Sequence, residues 1–467
     1  MLKQIPILNR SFLITASALL IPAVFWLYMG LVSQMIIIYD AANFEFLAKI
    51  FQQGQWEEYF KTGPNREPLY PMLISLAMRI ADYWQISYRD VQKIFQIFIL
   101  ILSQVLLLTS LRKLRIGSVI TAGILLYFGF SPTVTNAGFS LYSEMIVFPL
   151  LLGVALTAPR SWDALLTGHT KRTMLNAALL SILFLLTTYT KGIYENIFFL
   201  FLIPFFVLTV AFLRQKKTAH FRNGIAFLTV TCAIFIAGTL PIKFLNKHYN
   251  GNFTFTNRGP YALSASVNRR TQPLTSRQIL SLATYNFGGE TVCHQYFDPG
   301  TCSLWAIQRS DLLARAAIGE VQKKFPGSNI DAELLRFSQE KILQNLPQYI
   351  FLTAIEWITM LFWESPEPGF LARPDWLDRI YFASPFKENL RLTVSLLSIF
   401  SFFYLINALR KKAEHDKVIF LLFTGLLIFL HFAFYSLFTT VPRWAIPVIP
   451  LCLITIAYTL QRLLSKG

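Results

Sequence analysis

The run FLITASALLIPAVFWLYMGLVSQMIII, residues 12–38, carries no charge. It exceeds the roughly 20 apolar residues that a helix needs to cross a bilayer core of about 30 Å. Lys3 and Arg10 precede it, and Tyr39 and Asp40 follow. Positive charge stays on the cytoplasmic side, so the amino terminus is expected there and Asp40 on the far face. The run is too long for a signal-peptide core and no small-residue cleavage site follows, so it reads as a signal anchor. The expected fold is therefore an all-α polytopic membrane protein.

Composition agrees: of 467 residues, 54% are hydrophobic and only 14% charged, with a mean hydropathy of +0.48. That excludes an ordinary soluble enzyme. The net charge of +17 resides in short Lys/Arg clusters between apolar runs, which is the pattern of topology signals and not of a nucleic-acid partner.

Working outward, the run 91–111 returns to Arg112, Lys113 and Arg115, and 117–130 goes out to a polar corner with Pro132, Asn136, Tyr142 and Glu144. The run 145–158 leads in to Arg160, Lys171 and Arg172, and 174–189 leads out to Lys191 and Glu195. Next, 196–213 leads in to Arg214, Lys216, Lys217 and Arg222, and 224–242 goes out. Residues 347–363 decide the remaining topology. If they span, the cluster Arg410, Lys411, Lys412 and Lys417 falls on the wrong side; if they lie in the interface, with Glu356 and a belt of Trp357 and Trp363, every cluster falls on one side. The second arrangement is adopted. Runs 390–409, 418–438 and 445–464 complete about ten spans, with both termini cytoplasmic and Arg462 and Lys466 at the end.

Three regions follow: an amino-terminal transmembrane module (1–242) with a first outer loop (39–90), an outer region (243–346) that is mainly α, and an interfacial helix with a carboxy-terminal transmembrane module (347–467). In the first loop, Phe44, Leu47, Ala48, Ile50 and Phe51 repeat at helical spacing, as do Leu73, Leu76, Ala77 and Ile80, which predicts two surface helices joined at Gly63-Pro64. Residues 312–324 and 332–343 read as helices of the outer region. Cys293 and Cys302 flank a polar stretch there and read as a disulfide, which requires an oxidising compartment; Cys232 and Cys452 lie within apolar runs.

Asp40, Glu45, Arg66, Glu67, Glu144, Lys191, Glu195, Arg443 and the long outer region come from at least five different connections yet share one membrane depth. Asp40 reads equally as an acid favoured at a helix amino terminus or as a general base whose pKa partial desolvation raises. Arg66, Lys191 and Arg443 read as headgroup contacts or as a phosphate clamp. A Gly-x-x-x-x-Gly-Lys loop, Asp-x-Asp, His-Glu-x-x-His and Gly-x-Ser-x-Gly are all absent from the sequence, which argues against an ATP-driven, nucleotide-sugar, zinc or serine-hydrolase mechanism.

Asp40 shortly after the first span, then Asn65-Arg66-Glu67-Pro68-Leu69-Tyr70-Pro71 leading into an apolar helix, resembles the first outer loop of GT-C fold glycosyltransferases, nearest the bacterial branch related to protein O-mannosyltransferases and the lipid A aminoarabinose transferase. Leu141-Tyr142-Ser143-Glu144 is similar to that family's second-loop acid motif, and Val441-Pro442-Arg443-Trp444 with Pro447 and Pro450 to its late Arg-aromatic signature. The resemblance implies an inverting transfer of a sugar from a polyprenyl-phosphate donor to a glycan, lipid or protein acceptor at the periplasmic face of a bacterial inner membrane. It implies Asp40 as base with Glu144 beside it, and Arg66, Arg443 and Lys191 on the lipid phosphate. Glu45, Glu144 or Glu195 would be a second carboxylate, and Tyr70 a further acceptor contact. Many relatives carry a second acid directly after the catalytic one; Ala41 stands there, so a divalent metal is unsupported and no other cofactor is implied. A lipid-linked oligosaccharide ligase or polymerase, or a secondary transporter with ionisable residues deep in its spans, are the alternatives.

Overall fold

The computed structural model describes residues 10–327, 329–364, 371–410, 415–438 and 442–465; Lys3, Lys411, Lys412, Val441 and Lys466 lie outside them. The protein is an all-α polytopic membrane protein. Among the described residues nine helices are long and apolar enough to cross a membrane, ten if one bent pair counts as a span. Their burial sorts them: the most apolar windows of Glu144–Thr167 and Arg443–Leu464 are 78% and 83% buried, those of Arg10–Val32 and Thr218–Asn250 only 28% and 22%. The first two therefore form the centre, and the second two face lipid. Glu144–Thr167 packs on Thr170–Thr190, Tyr88–Lys113, His415–Leu437 and Ile449–Leu464.

The first helix ends at Val32, earlier than the apolar run that continues to Ile38. Gln34 and Met35 are instead extended and pair antiparallel with Leu371 and Ala372, closing the end of the bundle. Close packing within it depends on Gly129: a Cβ there would lie 2.3 Å from Pro22, and Trp26 Nε1 donates to the Gly129 carbonyl at 3.0 Å.

The expected polar corner at 131–144 is not a solvated loop. Ser131 caps a helix over Pro132–Phe139, its hydroxyl accepting from the Val134 amide, and Pro132 cannot continue the preceding Ser118–Phe130 ladder, so the pair bends by 48°. Thr135 and Ser140 are fully buried. Glu364, buried and unremarked by sequence patterning, accepts from Tyr127, from Ser131 at 2.8 Å and from the Thr133 amide at 3.0 Å, tying this bend to the chain after the helix expected to lie in the interface.

That helix, Leu346–Thr359, has 14 residues and so is about 21 Å long, short of the bilayer core. Trp363 is fully buried and Glu356 is 2% exposed, so neither belongs to an interfacial belt; Glu356 is the counter-charge for Arg269 and Arg270 instead.

In the first loop the Asp40–Gln52 helix buries Phe44, Leu47, Ala48, Ile50 and Phe51, a single face as the spacing requires. The short Trp56–Lys61 helix follows. Leu69–Trp84 buries Ile74, Ala77, Met78 and Ala81, whereas Leu76 is exposed; the small Ala77 and Ala81 set its inward face by close packing on Val91.

Thr218–Asn250 is a single 33-residue helix about 50 Å long, so the 242/243 boundary falls inside it. Beyond it, Arg258–Arg270 packs on Ile307–Lys324 and Ile330–Gln344. Cys293 and Cys302 are joined, closing a loop with a sequence separation of 9. Their reduction is expected to lower the stability of this region by about 2–3 kcal/mol, the loop-entropy value for a ring of this size, measurable as earlier unfolding with dithiothreitol.

Candidate functional site

Tyr39 adopts an uncommon backbone conformation, φ 46°, which turns the chain from the extended segment into the helix that begins at Asp40. Asp40 is thereby presented at a helix amino terminus, where a negative charge is favoured. One of its oxygens accepts from Arg66 Nη2, and the other accepts from Arg443 Nη1 at 3.0 Å, across 403 residues of sequence. Arg443 Nε lies 3.3 Å from Glu144 Oε1, and Lys191 Nζ donates to that same oxygen at 3.0 Å. Two carboxylates thus face three cations, a net charge of +1.

Each member is held from behind. Tyr59 donates its hydroxyl to the Arg66 carbonyl at 2.7 Å. Glu67 accepts from the Gly192 amide at 2.6 Å, fixing the 66–67 turn to the corner that carries Lys191. The Arg443 guanidinium lies 3.7 Å over the Tyr142 ring, a cation–π contact. His431 contacts the Trp444 carbonyl through Nε2 and the Tyr194 hydroxyl through Nδ1, both at 2.7 Å. A carbonyl can only accept, so Nε2 carries the proton and Nδ1 accepts from Tyr194. Three buried polar atoms of the cluster, Glu144 Oε2, Arg66 Nε and Arg443 Nε, have no hydrogen-bond partner among the described residues, the last being only ion-paired with Glu144.

Beside the cluster lies a cavity of about 390 Å³. Arg66 and Lys191 reach it, joined by Lys243 and Arg258, against the two carboxylates Glu67 and Glu195 and the rings of Phe44, Phe253 and Trp444. Asp40, Glu144 and Arg443 are not on its lining. The wall has four cations to two acids, and it is amphipathic, as a phosphate with an apolar tail requires.

Four expectations need correction. Burial does raise the Asp40 carboxyl, but the charges of Arg66, Arg443 and Lys191 outweigh it and hold the pKa below its ordinary 3.8. Glu45 is not in the cluster; it accepts from Tyr88 and pairs with Lys49 at 3.5 Å. Tyr70 is 1% exposed, packs edge-on against Phe44 and accepts from Gln96 at 3.3 Å, so it supports the site from within the core and cannot meet an acceptor. Glu195 faces the cavity, but as the partner of Lys243.

Lys243 and Arg258 were not singled out by the sequence reading. Lys243 follows directly on an apolar run, and Arg258 sits in an undistinguished polar stretch. Their convergence depends on the long helix emerging from the membrane. Among the described residues no three His, Cys, Asp or Glu side chains gather as a metal site. Asp40 and Glu144 share Arg443 as their bridging charge, so the donor set does not fit a divalent cation.

No protein-family model matches the chain, and no curated protein matches it.

Proposed function

We propose that this protein is a membrane glycosyltransferase that moves a sugar from a polyprenyl-phosphate donor to an acceptor hydroxyl on the periplasmic side of a bacterial inner membrane. The observation that carries the reading is the meeting of Asp40, Arg66, Glu144, Lys191 and Arg443, from five separate segments, beside a cavity with four cations on its wall. Sidedness is supported by alternation: Lys113, Thr167, Arg214 and Leu464 end helices on the side opposite to Asp40, next to the basic clusters.

In this mechanism the donor phosphate takes hydrogen bonds from Arg66, Lys191 and Arg258, each charge-assisted contact contributing about 1.5–3 kcal/mol. Drawing Arg66 toward the phosphate loosens its hold on Asp40. The carboxylate, partly buried, then becomes basic enough to take the acceptor hydroxyl's proton. The acceptor oxygen attacks the anomeric carbon as its bond to the phosphate oxygen breaks. Configuration inverts, and the cations hold the charge on the departing polyprenyl phosphate.

A secondary transporter would place ionisable residues in the middle of its spans. Here Glu144 begins its helix and Arg443 precedes Ile449–Leu464, which favours the transferase. The test is purified protein in liposomes with labelled polyprenyl-phosphate sugars. Release or transfer of the sugar with formation of free polyprenyl phosphate is expected; an intact donor, or its translocation without cleavage, would end the proposal.

A further inference from the structure

A second cavity, of about 510 Å³, opens on the other side of Arg66 and Arg258, which line both. Its wall carries four carboxamides, Asn43, Asn65, Asn250 and Asn257, together with Tyr261 and Asp331. Neutral groups that both donate and accept predominate here, unlike the cation-rich first cavity.

Two of these amides are oriented by a third. Asn246 is fully buried; its Nδ2 donates to Asn257 Oδ1 at 2.8 Å and to the Thr254 carbonyl at 2.9 Å, while its Oδ1 accepts from Asn250 Nδ2 at 3.0 Å. Asn250 Nδ2 also donates to the Phe60 carbonyl at 2.7 Å. With those atoms engaged, Asn257 turns its Nδ2 donor and Asn250 its Oδ1 acceptor toward the same place. A Cβ built on Gly63 would lie 3.4 Å from the first and 3.7 Å from the second. Gly63 has φ +72°, a conformation glycine adopts at no steric cost, and without a side chain it leaves both groups uncovered on the cavity wall beside it.

A donor and an acceptor facing one point match a group that does both at one atom. A hydroxyl accepts from the Asn257 amide and donates to the Asn250 carbonyl oxygen simultaneously. A peptide unit cannot, because its N–H and C=O point in opposite directions, and a phosphate has no hydrogen to give. Further hydroxyls of the same molecule would meet Asn43, Asn65 and Asp331, and Tyr261 offers an aromatic surface for the face of a sugar ring.

We propose that this cavity binds a neutral carbohydrate, which serves as the acceptor. Its role as acceptor rests on the transferase reading above; its binding chemistry does not. Arg66 and Arg258 then form the partition across which the acceptor hydroxyl meets the donor.

The test uses the full chain in lipid nanodiscs and saturation-transfer NMR with neutral oligosaccharides of glucose, galactose, mannose, rhamnose and N-acetylglucosamine. Saturable binding of at least one is expected. Asn257→Asp keeps the oxygen that Asn246 holds but exchanges the inward donor for a charged acceptor beside the Asn250 oxygen, so a hydroxyl loses one of its two partners and binding is expected to weaken about tenfold. Asn65→Ala, outside the Asn246 network, is expected to weaken it as well. Binding of no oligosaccharide, or unchanged binding in both variants, overturns the proposal, as does capture of peptide alone. Donor cleavage by the unaltered protein is scored separately. Carbohydrate binding without donor cleavage supports the site and removes the transferase reading.

Discussion

Asp40→Asn is expected to reduce sugar transfer about 10²–10⁴-fold, the usual contribution of a positioned general base. The substitution keeps the shape of the side chain and removes the charge that both Arg66 and Arg443 engage. A rate equal to that of the unaltered protein would remove Asp40 as the base. The pH dependence is a sharper test, because Asp40 in the free protein is held below its ordinary 3.8 by Arg66, Arg443 and Lys191 against the opposing effect of burial. A depressed carboxylate pKa means that the ion pairs stabilise the fold fully above the unfolded value and are lost as pH falls through the folded one. In kcat/KM, which reports the free enzyme, no acid limb is expected above pH of about 5. In kcat the bound phosphate competes for the guanidiniums, so the limb is expected to move upward. Coincident profiles would show that the phosphate does not release Asp40.

Glu356→Gln is expected to destabilise the protein by about 3–5 kcal/mol, since it leaves two buried guanidiniums without their carboxylate. Glu356 is 2% exposed, accepts from Arg269 Nη2 at 2.7 Å and from Arg270, and joins Leu346–Thr359 to Arg258–Arg270. Arg270 reaches further, donating to Thr353 at 3.0 Å and to the Phe438 carbonyl at 2.9 Å. Phe438 follows the His415–Leu437 helix and lines the first cavity, and Arg258–Arg270 lines both, so the same cluster ties together elements that wall the two cavities. Denaturant titration in detergent measures the loss; a change below about 1 kcal/mol would show the pair to be no better than a surface salt bridge.

Helical spans and the buried face of Asp40–Gln52 were legible because each depends on a local sum. A run of apolar residues gains by leaving water whatever its neighbours are, and a 3.6-residue period shows which face does so. The misreadings share a cause. Residues 33–38 are as apolar as a span, but strand pairing with 371–372 claims two of them. The corner at 131–144 reads as polar, yet Tyr142 and Glu144 are buried in it, because burial of a polar group depends on partners that sequence does not display.

By itself the sequence determined a polytopic helical protein and an excess of basic residues at alternate helix ends, since hydrophobic length and charge are properties of each segment alone. It also displayed the acids and bases from which a site could be made. Only the tertiary structure decided that Asp40 meets Arg443 from 403 residues away, that Glu45 and Tyr70 stand apart, and that Asn246 turns two other amides toward Gly63. Electrostatic and hydrogen-bond energies fall off over a few ångströms, so they depend on which side chains the packing brings together, and distance along the chain says little about that.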